Sequence, residues 1–230
     1  MNPHYTYFII LAASLAGPLV LSFDKKVAFY KNWKYFFPAV LMPAMFYIVW
    51  DFYFTAKGVW RFNENYITGI KLYNLPIEEV LFFFIVPYCC VFIYECIKTY
   101  FPRIKNKAVA DVLLMTVGLF VWVMGIIFYK KYYTSWTFIF TALFIVAIYA
   151  FRKYFNSFDA SSFLVSYCIM LLPFLIVNGF LTAIPVVLYN DAENLGIRIQ
   201  TIPLEDIFYG MLLILMTITI YEKLKPEAKS

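Results

Sequence analysis

Charged residues are scarce in this 230-residue chain. Asp, Glu, Lys and Arg make up 14% of it, whereas a typical soluble domain carries about 25%. Apolar residues account for 63% of the chain, and the mean hydropathy is +0.75. Polar groups are too few to cover a surface that faces water, so the composition predicts a membrane protein rather than a soluble domain.

The residues that most metal and nucleotide sites require are also few. None of the eight glycines stands in a GxGxxG or GxxxxGK motif, so we expect no nucleotide-binding loop and no cofactor. His4 is the only histidine, and the four cysteines lie in apolar runs without a CxxC pair, so the sequence predicts free thiols and no metal site. The net charge of +5 is spread over loops, which argues against a nucleic-acid partner.

Seven apolar segments are long enough to cross a bilayer, which takes roughly 17 to 25 residues. We expect each to be an α-helix, because a helix satisfies its own backbone hydrogen bonds in lipid. The first segment lacks the basic start and the cleavage pattern of a signal peptide, so we interpret it as a true span. The predicted spans are residues 5–23, 35–54, 77–97, 109–129, 133–151, 163–189 and 204–221.

The positive charges between these spans are distributed unevenly. Thirteen Lys and Arg residues fall on one side of the predicted membrane and six on the other. Since cytoplasmic loops carry the excess of Lys and Arg, we expect a multi-pass protein of the cell membrane. Its N-terminus would lie outside the cell and its C-terminus in the cytoplasm.

The chain contains an internal repeat with an offset of 127 residues. The offset places residues 63–72 on 190–199, and LPIEEV at 75–80 on IPLEDI at 202–207. It also carries the first three spans onto the last three and leaves the fourth span as a connector.

The repeat predicts the fold class and its division. We expect an all-α membrane protein of seven transmembrane helices, arranged as two parallel three-helix repeats joined by a connector helix. The repeats would be residues 1–97 and 132–230, and the connector residues 98–131. In membrane proteins built from parallel repeats, binding sites lie near the interface between the repeats.

Each copy of the repeat carries two adjacent carboxylates just after a proline that suits the first helical position. The helix dipole stabilises acidic residues in the first turn by about 0.3–1 kcal/mol, which alone would explain a single copy. Two copies at the edge of the hydrocarbon layer indicate a functional site instead, because ionisable groups inside membrane spans are costly. The candidate catalytic residues are Glu78, Glu79, Glu205 and Asp206.

Only one carboxylate of each pair can point squarely into the bundle, because neighbouring helical residues differ by about 100° in direction. We expect the identical Glu78 and Glu205 to point inwards, with Glu79 and Asp206 nearer the loop and its basic residues. Burial against aromatic rings favours the protonated acid, whereas the helix N-terminus favours the anion, and the sequence leaves this balance open. A protonated acid among aromatic faces, which stabilise cations, would suit carbocation chemistry.

Residues around the acids supply the other site candidates. The loop asparagines could either hydrogen-bond the carboxylates or cap turns, and the sequence does not separate the two. Asp51 and Asn178 occupy equivalent places in the repeat. The candidate substrate-binding residues are Asp51, Trp60, Asn63, Tyr66, Phe82, Phe83, Asn178, Asn190, Phe208 and Tyr209.

Three segments resemble the carotenoid (lycopene) cyclase family of small integral membrane proteins. DFYFTAKGVWRFN at 51–63, followed by Gly69 and by PIEEVLFF at 76–83, resembles the first half of these proteins. PLEDIF at 203–208 resembles the second half, so the resemblance covers essentially the whole chain with both halves fused.

The resemblance implies an intramolecular lyase (isomerase) of carotenoid biosynthesis. Such an enzyme protonates the linear ends of lycopene and closes them into β-ionone rings, giving β-carotene without net redox change. By this analogy Glu78 or Glu205 donates the proton, and a second carboxylate stabilises the cation or takes the proton back. The implied partners are an acyclic carotenoid, the lipid bilayer and, through contact, other enzymes of the pathway.

Two points qualify this interpretation. Asn178 replaces Asp51 in the second copy and Gly210 replaces Phe83, so the halves are not expected to be equivalent catalysts. A small seven-helix transporter or proton-coupled carrier is the alternative function, since paired carboxylates can relay protons across a membrane.

Overall fold

Seven long helices form the body of the protein in a computed structural model, which describes residues 2–102 and 107–226. They are α1 (Thr6–Leu21), α2 (Trp33–Lys57), α3 (Ile77–Tyr100), α4 (Lys107–Ile127), α5 (Tyr132–Ala150), α6 (Ala160–Ala183) and α7 (Glu205–Leu224). Each lies in a segment long and apolar enough to cross a membrane. The predicted all-α fold with seven spans is therefore confirmed within the described residues.

The sixth span ends earlier than the sequence predicted. We expected an apolar helix over residues 163–189, but α6 stops at Ala183, and Val187–Tyr189 form a strand. Pro185 explains the difference, because proline has no backbone N–H and disfavours helical backbone at the residue before it.

Short strands lie in the loops between α2 and α3 and between α6 and α7. β1 (Trp60–Phe62) pairs with β4 (Val187–Tyr189), β2 (Lys71–Leu72) with β3 (Leu75–Pro76), and β5 (Arg198–Ile199) with β6 (Ile202–Pro203). Pro76 and Pro203 thus lie in strands before α3 and α7, and not at the first helical position as predicted. The acidic residues do occupy the first turn of both helices.

The pairing of β1 with β4 follows the 127-residue repeat. Arg61 lies opposite Leu188, which is its own equivalent in the repeat. Two backbone hydrogen bonds of 2.9 Å flank this pair, from Asn63 N–H to Val186 C=O and from Asn190 N–H to Val59 C=O. The offset converts one bond into the other, as at a self-complementary interface, so a pseudo-twofold axis passes through the ribbon.

The packing of the helices has the same pseudo-twofold symmetry. Within the halves α1 packs on α3 and α5 on α7, whereas across the halves α2 packs on α7 and α6 on α3. The starts of α1, α3, α5 and α7 therefore meet the ends of α2 and α6 at one end of the bundle, beside the β1–β4 ribbon.

Two ion pairs join α3 to the end of α7 at the opposite end of the bundle. Lys98 Nζ donates to both carboxylate oxygens of Glu222 at 2.8 Å, and Lys225 Nζ donates to both of Glu95 at 2.7 Å. The 127-residue offset converts one pair into the other. Each half thus supplies the acid that the other half's lysine binds.

Candidate functional site

A small cavity lies between the two halves, against the β1–β4 ribbon. Its volume is about 40 Å³, which is room for about three water molecules. Three carboxyl groups, those of Asp51, Glu79 and Asp206, line it together with aromatic rings, and no Lys, Arg or His of the described residues belongs to the lining. We call this cavity the acid chamber. In residues 2–102 and 107–226, no group of three or more His, Cys, Asp or Glu side chains is arranged to hold a metal ion.

Two of the acids, Asp51 on α2 and Glu79 on α3, come from the first half. The Tyr7 hydroxyl donates to Glu79 Oε2 at 2.6 Å, and the Tyr209 hydroxyl donates to Asp51 Oδ1 at 2.6 Å. Both acids are buried, and both line the same small chamber. Two carboxylates that share a buried cavity repel each other, so such a pair favours a proton on one of its members.

Asp206 on α7 is the acid from the second half. The Tyr133 hydroxyl donates to its Oδ1 at 2.5 Å and the Tyr189 hydroxyl to its Oδ2 at 3.0 Å. Tyr189 lies outside the spans, and burial together with the adjacent Asp206 carboxyl raises the pKa of its phenol well above the usual range. Tyr189 therefore remains a hydrogen-bond donor at neutral pH, and both oxygens of Asp206 are occupied as acceptors.

The repeat relates only some of the residues that form the acid chamber. Glu79 and Asp206 are equivalent, and each accepts a hydrogen bond from a tyrosine near the start of the first helix of its repeat. Tyr7 and Tyr133 are 126 residues apart, so the offset of 127 that we expected throughout is one too large in these helices. Asn178 also lines the chamber, in the place that corresponds to Asp51.

The identical glutamates Glu78 and Glu205 do not line the chamber, contrary to our expectation. The Glu78 Oε1 atom accepts the backbone N–H of Thr68, and Glu205 Oε1 accepts that of Leu195, both at 2.7 Å. These fully buried side chains tie each acidic turn to the loop before it. Because neighbouring residues point about 100° apart, this contact directs the second acid of each pair into the chamber.

Five of the ten predicted substrate-binding residues line the acid chamber. They are Asp51, Trp60, Phe82, Asn178 and Tyr209. The Trp60 ring lies 5.2 Å from that of Tyr133 and 6.0 Å from that of Tyr209, measured between centroids. The aromatic wall of the chamber is therefore drawn from both halves of the chain.

The other five predicted residues lie outside the lining. Asn63 and Asn190 each accept the backbone N–H of the residue two positions later, so their side chains form turns, one of the two roles left open by the sequence. Phe83 and Phe208 pack on other aromatic rings, and the half-buried Tyr66 packs at the edge of the core.

Sequence reasoning found Tyr209 but missed the other three tyrosines that donate to the acids, Tyr7, Tyr133 and Tyr189. Tyr7 and Tyr133 are each the second residue of the first helix in their repeat, a coincidence that could have identified them. The offset of 127 conceals it, because that offset aligns Tyr7 with Thr134. Tyr189 follows a run of apolar residues and falls within the predicted sixth span. No local sequence pattern therefore indicates that it belongs to the site.

Comparison with known proteins gives the same division into halves. The sequence pattern of the lycopene cyclase family matches residues 4–97 and 130–224, which together contain every acid of the chamber. The chain belongs to the lycopene cyclase family. Its two matched segments carry the two sets of helices that the pseudo-twofold axis relates.

Individual relatives of this lycopene cyclase family member match over shorter segments. A lycopene beta-cyclase of Halobacterium salinarum is 37% identical over 83 residues, which are 35% of this chain and 35% of that protein. A bifunctional lycopene cyclase/phytoene synthase of Aspergillus oryzae is 31% identical over 94 residues, which are 40% of this chain and 15% of that protein. The matched segment thus spans about a third or less of these relatives. No solved structure matches the chain.

Proposed function

We propose that this chain closes the linear ends of lycopene into β-ionone rings and so forms β-carotene. One observation carries the proposal: three buried carboxyl groups converge in a chamber walled by aromatic rings, and within the described part of the chain no basic side chain lines it. A buried acid without a counter-ion favours its neutral form, which carries a proton. Aromatic faces stabilise cations. These are the two requirements of a cyclisation that an acid initiates.

The proposed reaction adds one proton to each end of the substrate and removes another. Protonation of the terminal double bond leaves a tertiary carbocation. The π electrons of a neighbouring double bond attack this cation, so a carbon–carbon bond closes the ring and the charge moves onto the ring. Loss of a ring proton then forms the ring double bond. Substrate and product are isomers, which places the reaction in the intramolecular lyase (isomerase) class and requires no oxidant or reductant.

The geometry supports separate roles for the acids. Asp51 and Glu79 line the same chamber, and two carboxyl groups so placed favour a proton on one of them, which would be the proton donated. Asp206 accepts hydrogen bonds from two tyrosines, which suits a carboxylate that stabilises the cation and receives the ring proton. We expected Glu78 or Glu205 to donate the proton, but both would instead position the acidic turns through their contacts with the preceding loops.

The alternative function, a small transporter or proton-coupled carrier, is not favoured by the family match. The position of the acids argues in the same direction. Glu79 and Asp206 lie in the first turns of α3 and α7, at one end of the bundle. Substrate and ion sites of transporters lie near the middle of the membrane instead.

The membrane context fits a hydrocarbon substrate. The chain is a multi-pass membrane protein, and lycopene is soluble in the bilayer rather than in water. From the distribution of Lys and Arg we propose an N-terminus outside the cell and a C-terminus in the cytoplasm. Contact with other enzymes of carotenoid synthesis stays a prediction.

Expression in cells that accumulate lycopene tests the proposed function. We expect the red pigment to be replaced by orange-yellow β-carotene, identified by chromatography, in cells with the chain and not in cells with an empty vector. Unchanged lycopene in cells whose membranes contain the protein would contradict the proposal. A transport assay in vesicles with the same protein would then test the alternative.

A further inference from the structure

A larger apolar cavity lies next to the acid chamber, between α1, α3 and α6. This cavity has a volume of about 240 Å³, against about 40 Å³ for the chamber. The two share Phe82, Phe174 and Asn178 as lining residues, so they are direct neighbours. We call the larger cavity the apolar groove.

The apolar groove leads away from the chamber and reaches the outer surface of the bundle. On α3 its wall extends from Phe82 to Ile93, which are eleven positions or roughly 16 Å apart along the helix axis. At its rim on α6, Pro173 is exposed and Ile176 is 52% exposed. Among residues 2–102 and 107–226, no Asp, Glu, Lys or Arg lines it. The groove therefore offers a hydrocarbon an uncharged surface from the exposed side of α6 to the residues that border the acid chamber.

The equivalent position in the other half of the molecule is filled with aromatic rings. Three small or aliphatic residues of the groove are replaced there by Phe or Trp. Residues of α6 are matched with those of α2 by the offset of 127, and residues of α1 with those of α5 by the offset of 126. The replacements are Phe46 for Pro173, Trp50 for Val177 and Phe140 for Ser14. Their ring centroids lie 5.3–5.6 Å apart.

These three rings separate a second pocket from the acid chamber. The pocket lies between α2, α5 and α7 and also has a volume of about 240 Å³. It includes Phe46 and Phe140 in its lining, but none of the described residues lines both this pocket and the chamber. Two equivalent pockets thus exist on the two sides of the molecule, and the one between α1, α3 and α6 adjoins the acids.

Building on the proposed function, we propose that the apolar groove admits one end of a linear carotenoid from the bilayer. The groove then holds the adjoining polyene chain while the chamber acts on the end. Phe46, Trp50 and Phe140 close the equivalent path. The protein therefore has one substrate site in spite of its duplicated acidic turns, and the two ends of a substrate bind in succession.

Two substitutions that copy the closed position test this inference. Val177→Trp places on α6 the residue found at the closed position, and Ser14→Phe does the same on α1. Ile169→Trp is the matched control, because this α6 residue is 45% exposed and lies outside the groove lining. For each variant we would measure the fraction of lycopene cyclised in cells and the lycopene that remains bound to the protein purified in detergent, by its visible absorbance.

We expect Val177→Trp and Ser14→Phe to lower both conversion and retained lycopene at least ten-fold, and Ile169→Trp to stay within two-fold of the unsubstituted chain. The two groove variants alter different helices. If one variant does not fold and is missing from the membrane, the other still tests the inference. Normal conversion and retention in the groove variants of an active protein would overturn the access path and leave the proposed function standing. If the unsubstituted chain binds lycopene without converting it, the proposed function fails, and retention alone decides whether the groove is the binding site. A chain that neither converts nor retains lycopene overturns both proposals.

Discussion

Glu79 faces the acid chamber because its neighbour Glu78 is held elsewhere. The Thr68 N–H holds Glu78 from a position ten residues earlier, and the Tyr7 hydroxyl holds Glu79 from a position 72 residues earlier. The sequence identified both acids through the repeat, but not which of them points inwards. That choice depends on the rotation of α3, which contacts distant in the chain determine.

Substitution of the adjacent glutamates separates their roles. Glu79→Gln removes an acidic proton from the chamber, and we expect a loss of cyclisation of about a hundred-fold or more, since general acid catalysis contributes about 10²–10⁴-fold. Glu78→Gln keeps a carbonyl oxygen that can accept the Thr68 N–H, so we expect activity within several-fold of the unsubstituted chain. Lycopene conversion per amount of membrane protein is the measurement. Equal losses in both variants, or a larger loss in Glu78→Gln, would contradict the roles proposed here.

Among the helices, the end of α6 shows where apolar patterning stops being informative. Residues 184–189 are mostly apolar whether they continue a helix or form a strand, so hydropathy alone extended the sixth span over them. Pro185 was the one local signal for the end of the helix. The strand pairing of Val187–Tyr189 with Trp60–Phe62 joins segments 127 residues apart, and the repeat is the only sequence feature that relates them.

The crossed ion pairs between α3 and α7 are a second consequence of the repeat at this scale. The offset relates Glu95 to Glu222 and Lys98 to Lys225, so the sequence contained the information for both pairs. Pairing across the halves, rather than between neighbours on one helix, could not be read from it. This choice follows from the packing of α3 against α7 around the pseudo-twofold axis.

Removal of one of these buried acids should destabilise the protein. Glu95→Gln leaves Lys225 without its partner, and we expect a cost between the roughly 1 kcal/mol of an exposed ion pair and the 3–5 kcal/mol of a buried one. Glu64→Gln is the matched control, because it breaks the exposed Glu64–Lys71 pair. Thermal unfolding in detergent measures both. A midpoint for Glu95→Gln no lower than that of Glu64→Gln would show that the crossed pairs contribute little.

At the scale of the whole molecule, the pseudo-twofold symmetry holds for the backbone and fails for selected side chains. Gly210, which corresponds to Phe83, illustrates the reason, since a Cβ atom there would lie 2.8 Å from the Phe174 ring. The absence of a side chain makes room for Phe174, which lines both the acid chamber and the apolar groove. Together with Asn178 in place of Asp51, these departures make the two halves unequal around one site.

Two expectations about the whole molecule stay predictions. The division into residues 1–97, 98–131 and 132–230 agrees in outline with the two family segments, but its boundaries rest on the repeat alone. The orientation in the membrane rests on the count of Lys and Arg, because side-chain packing within the bundle is the same in either orientation.

The central claim, that a carboxyl group of the protein starts the reaction by protonating an alkene, is tested most directly by isotope incorporation. Purified protein equilibrated in D₂O would be supplied with lycopene, and the product would be analysed by mass spectrometry. We predict one deuteron in each ring formed, because the added proton comes from an exchangeable acid whereas the proton lost comes from carbon. Cyclised product of unchanged mass would contradict the account.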